Sequence, residues 1–536
     1  MKGRLPLLGL LASALVFLAS LFLPWREIQA PPFFGRDLGV LTLFEGGRVD
    51  GWIGVAADVA VLLAVALVLA VLVALRRPRL AAELPLGSLG VALAYFAAAV
   101  AVEVNTLSRF VGGGFTAGHP PVPHTSWSYG FYLGLASGAV AGLCGLAVRA
   151  NDLLRPPRVA DAVAGVLGIA LLVSFLLPWI GLGEPGSRSY PGIETGPAVI
   201  AALLLILAAG RLRDEARRRW RLPVAIAAAI LTGAAASTVP YFGVHLYGTW
   251  VGIGCAVLLT ALEAARTWPL RLPAVPRGLA ALRTGSAALL LVALFLPWET
   301  LRGQPGANGW SLVTGAAVGG LCLLLLATPA IPALERYVLD AVVAVVLMVS
   351  ALGTAFRENR FIFHLGYGAF VGFAAAGVLL VSALVRLRPA HVAPARARPR
   401  TVPLAASVLG VAAFVLPWWF VLPEGWTFQA SALYGWMSVA GLLLALYLVR
   451  LWARLLREPV MTGPRLTLAP LALLTLASLE LIRFRAGEVV WGAVILVGLC
   501  LLLALCGWIE EGGGGLEGLR VPEEIWRVDR LPETES

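Results

Sequence analysis

The chain has 536 residues, of which 59% are hydrophobic and only 13% charged, against the ~25% charge usual in soluble domains. Its mean hydropathy is +0.87 and its net charge +11. Those values exclude a soluble globular enzyme and an intrinsically disordered protein, and they point to an integral membrane protein.

The first apolar run, which follows Lys2 and Arg4, ends in Leu23-Pro24-Trp25. It resembles a secretory leader in its charge pattern, yet no small-x-small cleavage site follows it, and Arg26 and Glu27 come directly after. It is read as a retained first span. The same ending returns at Leu177-Pro178-Trp179, Leu296-Pro297-Trp298 and Leu416-Pro417-Trp418. The last three copies lie about 120 residues apart and the first about 154 residues before the second, which is the signature of a tandem array.

Four apolar spans fall within each period. In the third they cover 278–298, 310–330, 337–354 and 364–386, and in the fourth 401–421, 430–449, 465–482 and 487–508. Their length matches the ~30 Å hydrocarbon core at 1.5 Å per helical residue, without the alternation of a barrel strand. The expected fold is therefore all-α and polytopic, with about 16 transmembrane helices in four parallel repeats of a four-helix unit. The third helices, diluted by Ala, Ser, Thr and Pro, carry the weakest apolar signal, and fourteen spans are the alternative count. The expected boundaries are 1–150, 151–270, 271–390 and 391–508, followed by a Gly-rich hinge and short tail at 509–536. Two pairs of bundles and a ring of four both satisfy this pattern.

Basic residues set the orientation. Arg211, Arg213, Arg217, Arg218, Arg219 and Arg221 stand between spans on one side, as do Arg386, Arg388, Arg396, Arg398 and Arg400. Both termini are expected in the cytoplasm, in a bacterial-type inner membrane, with every Leu-Pro-Trp facing outward. Anionic lipid headgroups are the expected partners of these inner loops, and no nucleic acid is called for.

Proline stops a helix at the preceding residue, and tryptophan settles at the headgroup level. Trp25, Trp179, Trp298 and Trp418 are accordingly expected as interfacial anchors. The fourth helices open with glycines four apart: Gly130, Gly134, Gly138 and Gly142, then Gly248 and Gly252, then Gly368 and Gly372. Such stripes allow close backbone approach between helices in lipid. The fourth copy departs from this, with Gly492 followed only by Gly498.

Cys144, Cys255, Cys322, Cys500 and Cys506 all lie within apolar spans, so they read as small apolar side chains and not as disulfides or metal ligands. His119 and His124 supply half a coordination shell, and no metal or cofactor is expected. With Lys2 as the single lysine and no H-E-x-x-H or G-x-S-x-G, no enzyme signature is present. Gly112-Gly113-Gly114, in the expected loop between third and fourth helices, follows no strand and is not expected to cradle a phosphate.

Intramembrane polar residues are few. Asp161, Asp340 and Glu263 lie near inner helix ends, and Arg283 is placed to snorkel inward. Asp58 sits two turns into its span; Glu103 and Glu480 occupy matching outer positions on third helices; His245 and His364 stand at the entrance of fourth helices. These five form a candidate polar vestibule for a cation or proton relay. Three functions follow: a non-catalytic scaffold or partner-binding membrane body, favoured by the scarcity of buried charge; a transporter or channel around Asp58 and Glu103; and, last, a lipid-modifying enzyme.

Overall fold

The structure is a computed structural model. It describes residues 4–21, 23–29, 48–50, 54–76, 84–113, 124–148, 159–182, 189–209, 220–238, 243–267, 278–301, 304–311, 313–329, scattered positions from 334 to 353, 363–386, 417–421, 428–431 and 488–489. The chain divides into two compact units, one of Met1–Arg388 with Trp436–Leu442 and the other of Pro389–Gly435 with Leu443–Ser536.

In the first unit a helix α1 (Arg4–Ser20) leads into strand β1 (Pro24–Gln29), then β2 (Arg48–Asp50), α2 (Gly54–Arg76), α3 (Leu86–Gly113), β3 (His124–Trp127) and α4 (Tyr129–Val148). The order recurs as α5 (Val159–Leu176), β4 (Pro178–Leu182), β5 (Ser189–Pro191), α6 (Gly196–Ala209), α7 (Arg221–Ser237), β6 (Gly243–His245) and α8 (Tyr247–Arg266). A third passage gives α9 (Leu279–Ala293), β7 (Glu299–Leu301), β8 (Gln304–Pro305), α10 (Val313–Ala327), helical positions between 338 and 353, β9 (Phe363–Leu365) and α11 (Tyr367–Arg386). Four of these helices contain stretches long and apolar enough to cross a membrane: Leu86–Glu103, Tyr129–Val148, Val159–Leu176 and Tyr247–Arg266. The remaining described helices are apolar but shorter.

The helices pack into bundles. α1 lies against α2 and α4, and α3 against α2 and α4; α5 and α7 flank α8 in the same way, with α6 against α7. α6 also packs on α2 and α3, and α10 on α6 and α7, so the second helix of each bundle meets the bundle before it. Two polar contacts reinforce these seams: Tyr95 Oη donates to Leu172 O at 3.0 Å, and Asn308 Nδ2 donates to Ser237 O at 2.9 Å.

Short strands replace the loops expected at one end of the helices. Each sheet has three antiparallel strands with the strand of the Pro-Trp motif in the centre: β2-β1-β3, β5-β4-β6 and β8-β7-β9. In the second unit the described residues are β10 (Pro417–Val421), β11 (Phe428–Ser431) and β12 (Glu488–Val489), ordered β11-β10-β12. Proline favours this outcome, because it forces the preceding residue out of the helix and presets an extended continuation. The hairpin partner then satisfies the amides and carbonyls that follow.

Candidate functional site

Among the described residues, the most specific arrangement is built at the junction of helix and sheet. The last turns of α1, α5 and the α9 segment tighten: Leu23 N donates to Ser20 O at 3.0 Å, Leu177 N to Ser174 O at 3.1 Å, and Leu296 N to Ala293 O at 3.1 Å. Proline at the next position has no N–H to offer to a terminal carbonyl. The tryptophan side chain supplies one. Trp25 Nε1 donates to Ser20 O at 2.9 Å, Trp179 Nε1 to Ser174 O at 2.6 Å, and Trp298 Nε1 to Ala293 O at 2.8 Å. Each indole thus caps the helix from which it comes.

A bulge turns the ring inward. Pairing shifts register between Pro24 and Arg26 in β1, between Pro178 and Ile180 in β4, and between Pro417 and Trp419 in β10. In the third sheet the amides of Trp298 and Glu299 both donate to Ala307 O, at 2.9 and 3.2 Å. Two residues facing one is the definition of a bulge, and it re-aims the side chain.

The indoles then enter sockets made of glycine. A Cβ added at Gly252 would sit 2.6 Å from Trp179 Cζ2, and one at Gly372 would sit 2.6 Å from Trp298 Cζ2; Gly134 meets the Trp25 ring more closely still. On the other side, a Cβ at Gly192 would lie 2.7 Å from Trp179 Cδ2 and one at Gly309 2.7 Å from Trp298 Nε1. One turn earlier on the fourth helices, Gly130, Gly248 and Gly368 abut the carbonyls of Pro24, Pro178 and Pro297. The first two glycines of each stripe are therefore seats for the motif of their own bundle, whereas Gly138 and Gly142 face Ala97 and Ala94 of α3.

This geometry revises the expected role of the tryptophans. Trp25, Trp179 and Trp298 have no exposed surface, because the bulge points them into the bundle. Trp418 lies in β10 as backbone. The turn glycines were not singled out in the sequence. Their signal is a second Gly-aromatic or Gly-aliphatic recurrence after the second strand: Gly51-Trp52, Gly192-Ile193, Gly309-Trp310 and Gly435-Trp436.

The candidate vestibule residues are distributed along the chain. Glu103 is buried on α3, and its Oε1 accepts the Ala56 amide at 2.9 Å. Ala56 lies in the first turn of α2, so the carboxylate meets both an orphan donor and the positive end of the helix dipole. Asp58 follows two residues later on α2, which brings these two positions to one end of the first bundle. His245 is exposed on β6, opposite Ile180, with its ring edge-on to Trp250 at 6.0 Å. His364 lies on β9 opposite Thr300 in a different sheet. Glu480 lies outside the described residues. Among the described residues no three of His, Cys, Asp or Glu come together to hold a metal.

At the other end of the second bundle, Asp161 accepts Arg221 Nη1 at 2.7 Å and also pairs with Arg266, which reaches Glu263 at 2.8 Å. These groups join α5, α7 and α8. Arg283 is buried, and its Nη2 donates to Thr328 Oγ1 at 3.2 Å. Glu299, the residue after the buried Trp298, is 8% exposed. Burial raises its carboxyl above the usual carboxylate range.

No protein family matches the chain, and neither a curated protein nor a solved structure resembles it closely enough to carry a relationship.

Proposed function

We propose that the chain is a non-catalytic multi-pass membrane protein of the cytoplasmic membrane, a scaffold or partner-binding body made of four tandem parallel repeats with sixteen spans. Its termini face the cytoplasm, and its basic inner loops hold anionic headgroups. The observation that carries this reading is the employment of buried polar and aromatic groups in holding the bundles together. The indoles cap helix ends, Glu103 caps α2, and Asp161 joins two arginines. The shared strand order of four sheets supports the repeat assignment.

The test is flux through purified protein in sealed proteoliposomes, read separately for protons, sodium, potassium and chloride. Rates equal to protein-free vesicles are expected. A flux that Asp58→Asn removes would replace this reading with a channel or transporter centred on the outer end of α2. That second reading draws on one observation, the placement of Asp58 two residues beyond the amide that buried Glu103 holds.

A further inference from the structure

The fourth helices begin alike on their outer surface as well as on their inner one. Tyr129, Tyr247 and Tyr367 are the first residues of α4, α8 and α11, and Tyr132, Trp250 and Phe370 follow three positions later. Positions three apart share a helix face. All six side chains are between 55% and 64% exposed, the opposite of the enclosed tryptophans of the Pro-Trp motif. Below them the same helices expose aliphatic side chains, among them Leu143, Leu258 and Val381.

The height of these rings relative to the sheets is fixed by contact. A Cβ at Gly130 would sit 2.5 Å from Pro24 O, one at Gly248 2.5 Å from Pro178 O, and one at Gly368 2.8 Å from Pro297 O. Each of these glycines lies between the two aromatics of its own helix. No helix can slide along its axis without driving backbone into backbone, so all three aromatic pairs stand in the first turn of their helix, directly after the third strand of their sheet.

From this we infer that Tyr129, Tyr132, Tyr247, Trp250, Tyr367 and Phe370 form the girdle that engages the phospholipid headgroup–acyl boundary, and that the three sheets above them stand in water. Five of the six are Tyr or Phe flanking a single Trp, and Tyr and Trp combine an apolar body with a polar tip suited to that boundary. His245, exposed beside Trp250, then faces the headgroup layer and not an internal vestibule. The inference rests on the membrane-spanning reading of these helices and adds the depth at which they sit.

The experiment uses full-length protein in nanodiscs whose lipids carry bromine either near the headgroup or near the chain ends. The difference in emission between the wild type and Trp250→Phe isolates Trp250, and Leu258→Trp adds a reporter eight residues down, ~12 Å along the axis. Headgroup-proximal bromine is expected to quench the Trp250 emission about twofold more than deep bromine, with the reverse order for the reporter at 258. Trp250 quenched by neither lipid, or better by deep bromine, while the 258 reporter responds to deep bromine, would overturn the girdle and leave the spanning helix intact. A 258 reporter quenched by neither would overturn both. Tyr132→Trp and Phe370→Trp repeat the measurement on the other two helices, and a depth differing from that of Trp250 would end the claim of a common plane.

Discussion

Gly252 and Trp179 are in edge contact, so close that a single added methyl group would lie 2.6 Å from Cζ2 of the indole. They come from opposite ends of one bundle's sequence, the end of its first helix and the start of its fourth. Between them they join features that look independent in the chain, the Leu-Pro-Trp ending and the glycine spacing. Proline ends the helix, the bulge inverts the tryptophan, the indole N–H replaces the missing backbone donor, and glycine leaves the space the ring occupies. In lipid, where apolar side chains gain little by leaving the solvent, such shape complementarity is a main source of helix association.

Filling the socket is therefore expected to be costly. Gly252→Ala and Gly372→Ala each force the indole or its helix to move, at about 1–3 kcal/mol. Gly254→Ala, on the same helix with nothing within 4 Å of its added Cβ, is expected to be neutral or to stabilise by up to about 1 kcal/mol. Thermal unfolding in one detergent reads all three. Pairing Gly252→Ala with Trp179→Phe is expected to recover part of the loss, because the two sites share one contact. Equal melting temperatures for the 252 and 254 variants would remove the socket from the account.

The cap on α2 gives a second expectation. Glu103→Ala leaves the Ala56 amide without its carboxylate and is expected to cost about 1–2 kcal/mol. Glu103→Gln keeps an acceptor but loses the charge at the helix dipole, for about half of that. Hydrogen exchange at the start of α2 reports the effect locally, and faster exchange is expected in the order Ala, Gln, wild type. Unchanged exchange in both variants would mean that the bond to Ala56 does not hold this helix end.

How much of this was legible in the sequence depends on whether the signal was compositional or geometric. Span positions follow from hydropathy, and the helices ending before Pro24, Pro178 and Pro297 lie where proline chemistry puts them. The strands were not legible as strands. Arg26–Gln29 and Ile180–Leu182 are too short to show alternation, and their pairing is imposed by the bundle beneath. The direction of the tryptophans escaped for a related reason: a ring one residue past a helix end points to lipid or inward according to a bulge, and register is invisible in one strand alone. Glu103 was recognisable as a polar residue near the outer end of a third helix. Its partner was not, because an amide in the first turn of another helix has no sequence signature. The exposed aromatic pairs of the fourth helices are plain in the sequence once Gly130, Gly248 and Gly368 are aligned.

At the end opposite the sheets, Asp161 holds Arg221 and Arg266 from two neighbouring helices. Asp161→Asn keeps the shape and leaves two guanidinium groups facing each other, so α7 and α8 are expected to separate slightly there. The Asp161 side chain is 32% exposed, which limits the loss to about 1 kcal/mol and makes it dependent on salt. The gap in melting temperature between variant and wild type is expected to narrow as salt rises. A gap that does not change with salt would assign the effect to packing and not to charge.

Glu299 supplies a pH signature. Its side chain is buried beside the third socket, Oε1 has no hydrogen-bond partner among the described residues, and burial raises its pKa from 4.5. A carboxyl whose folded pKa lies above its unfolded value binds its proton more tightly in the folded protein, so its stabilising effect is complete below 4.5. That effect is lost as pH rises from 4.5 through the folded value, where the buried group must become charged. Glu299→Gln keeps a neutral side chain of the same shape at every pH. It is expected to melt higher than the wild type at neutral pH, and the difference is expected to shrink on acidification toward about pH 4. The other carboxylates are common to both proteins, so the difference between the two melting curves isolates residue 299. Parallel curves from about pH 4 to about pH 8 would mean that the carboxylate is as well solvated in the folded protein as in the unfolded chain.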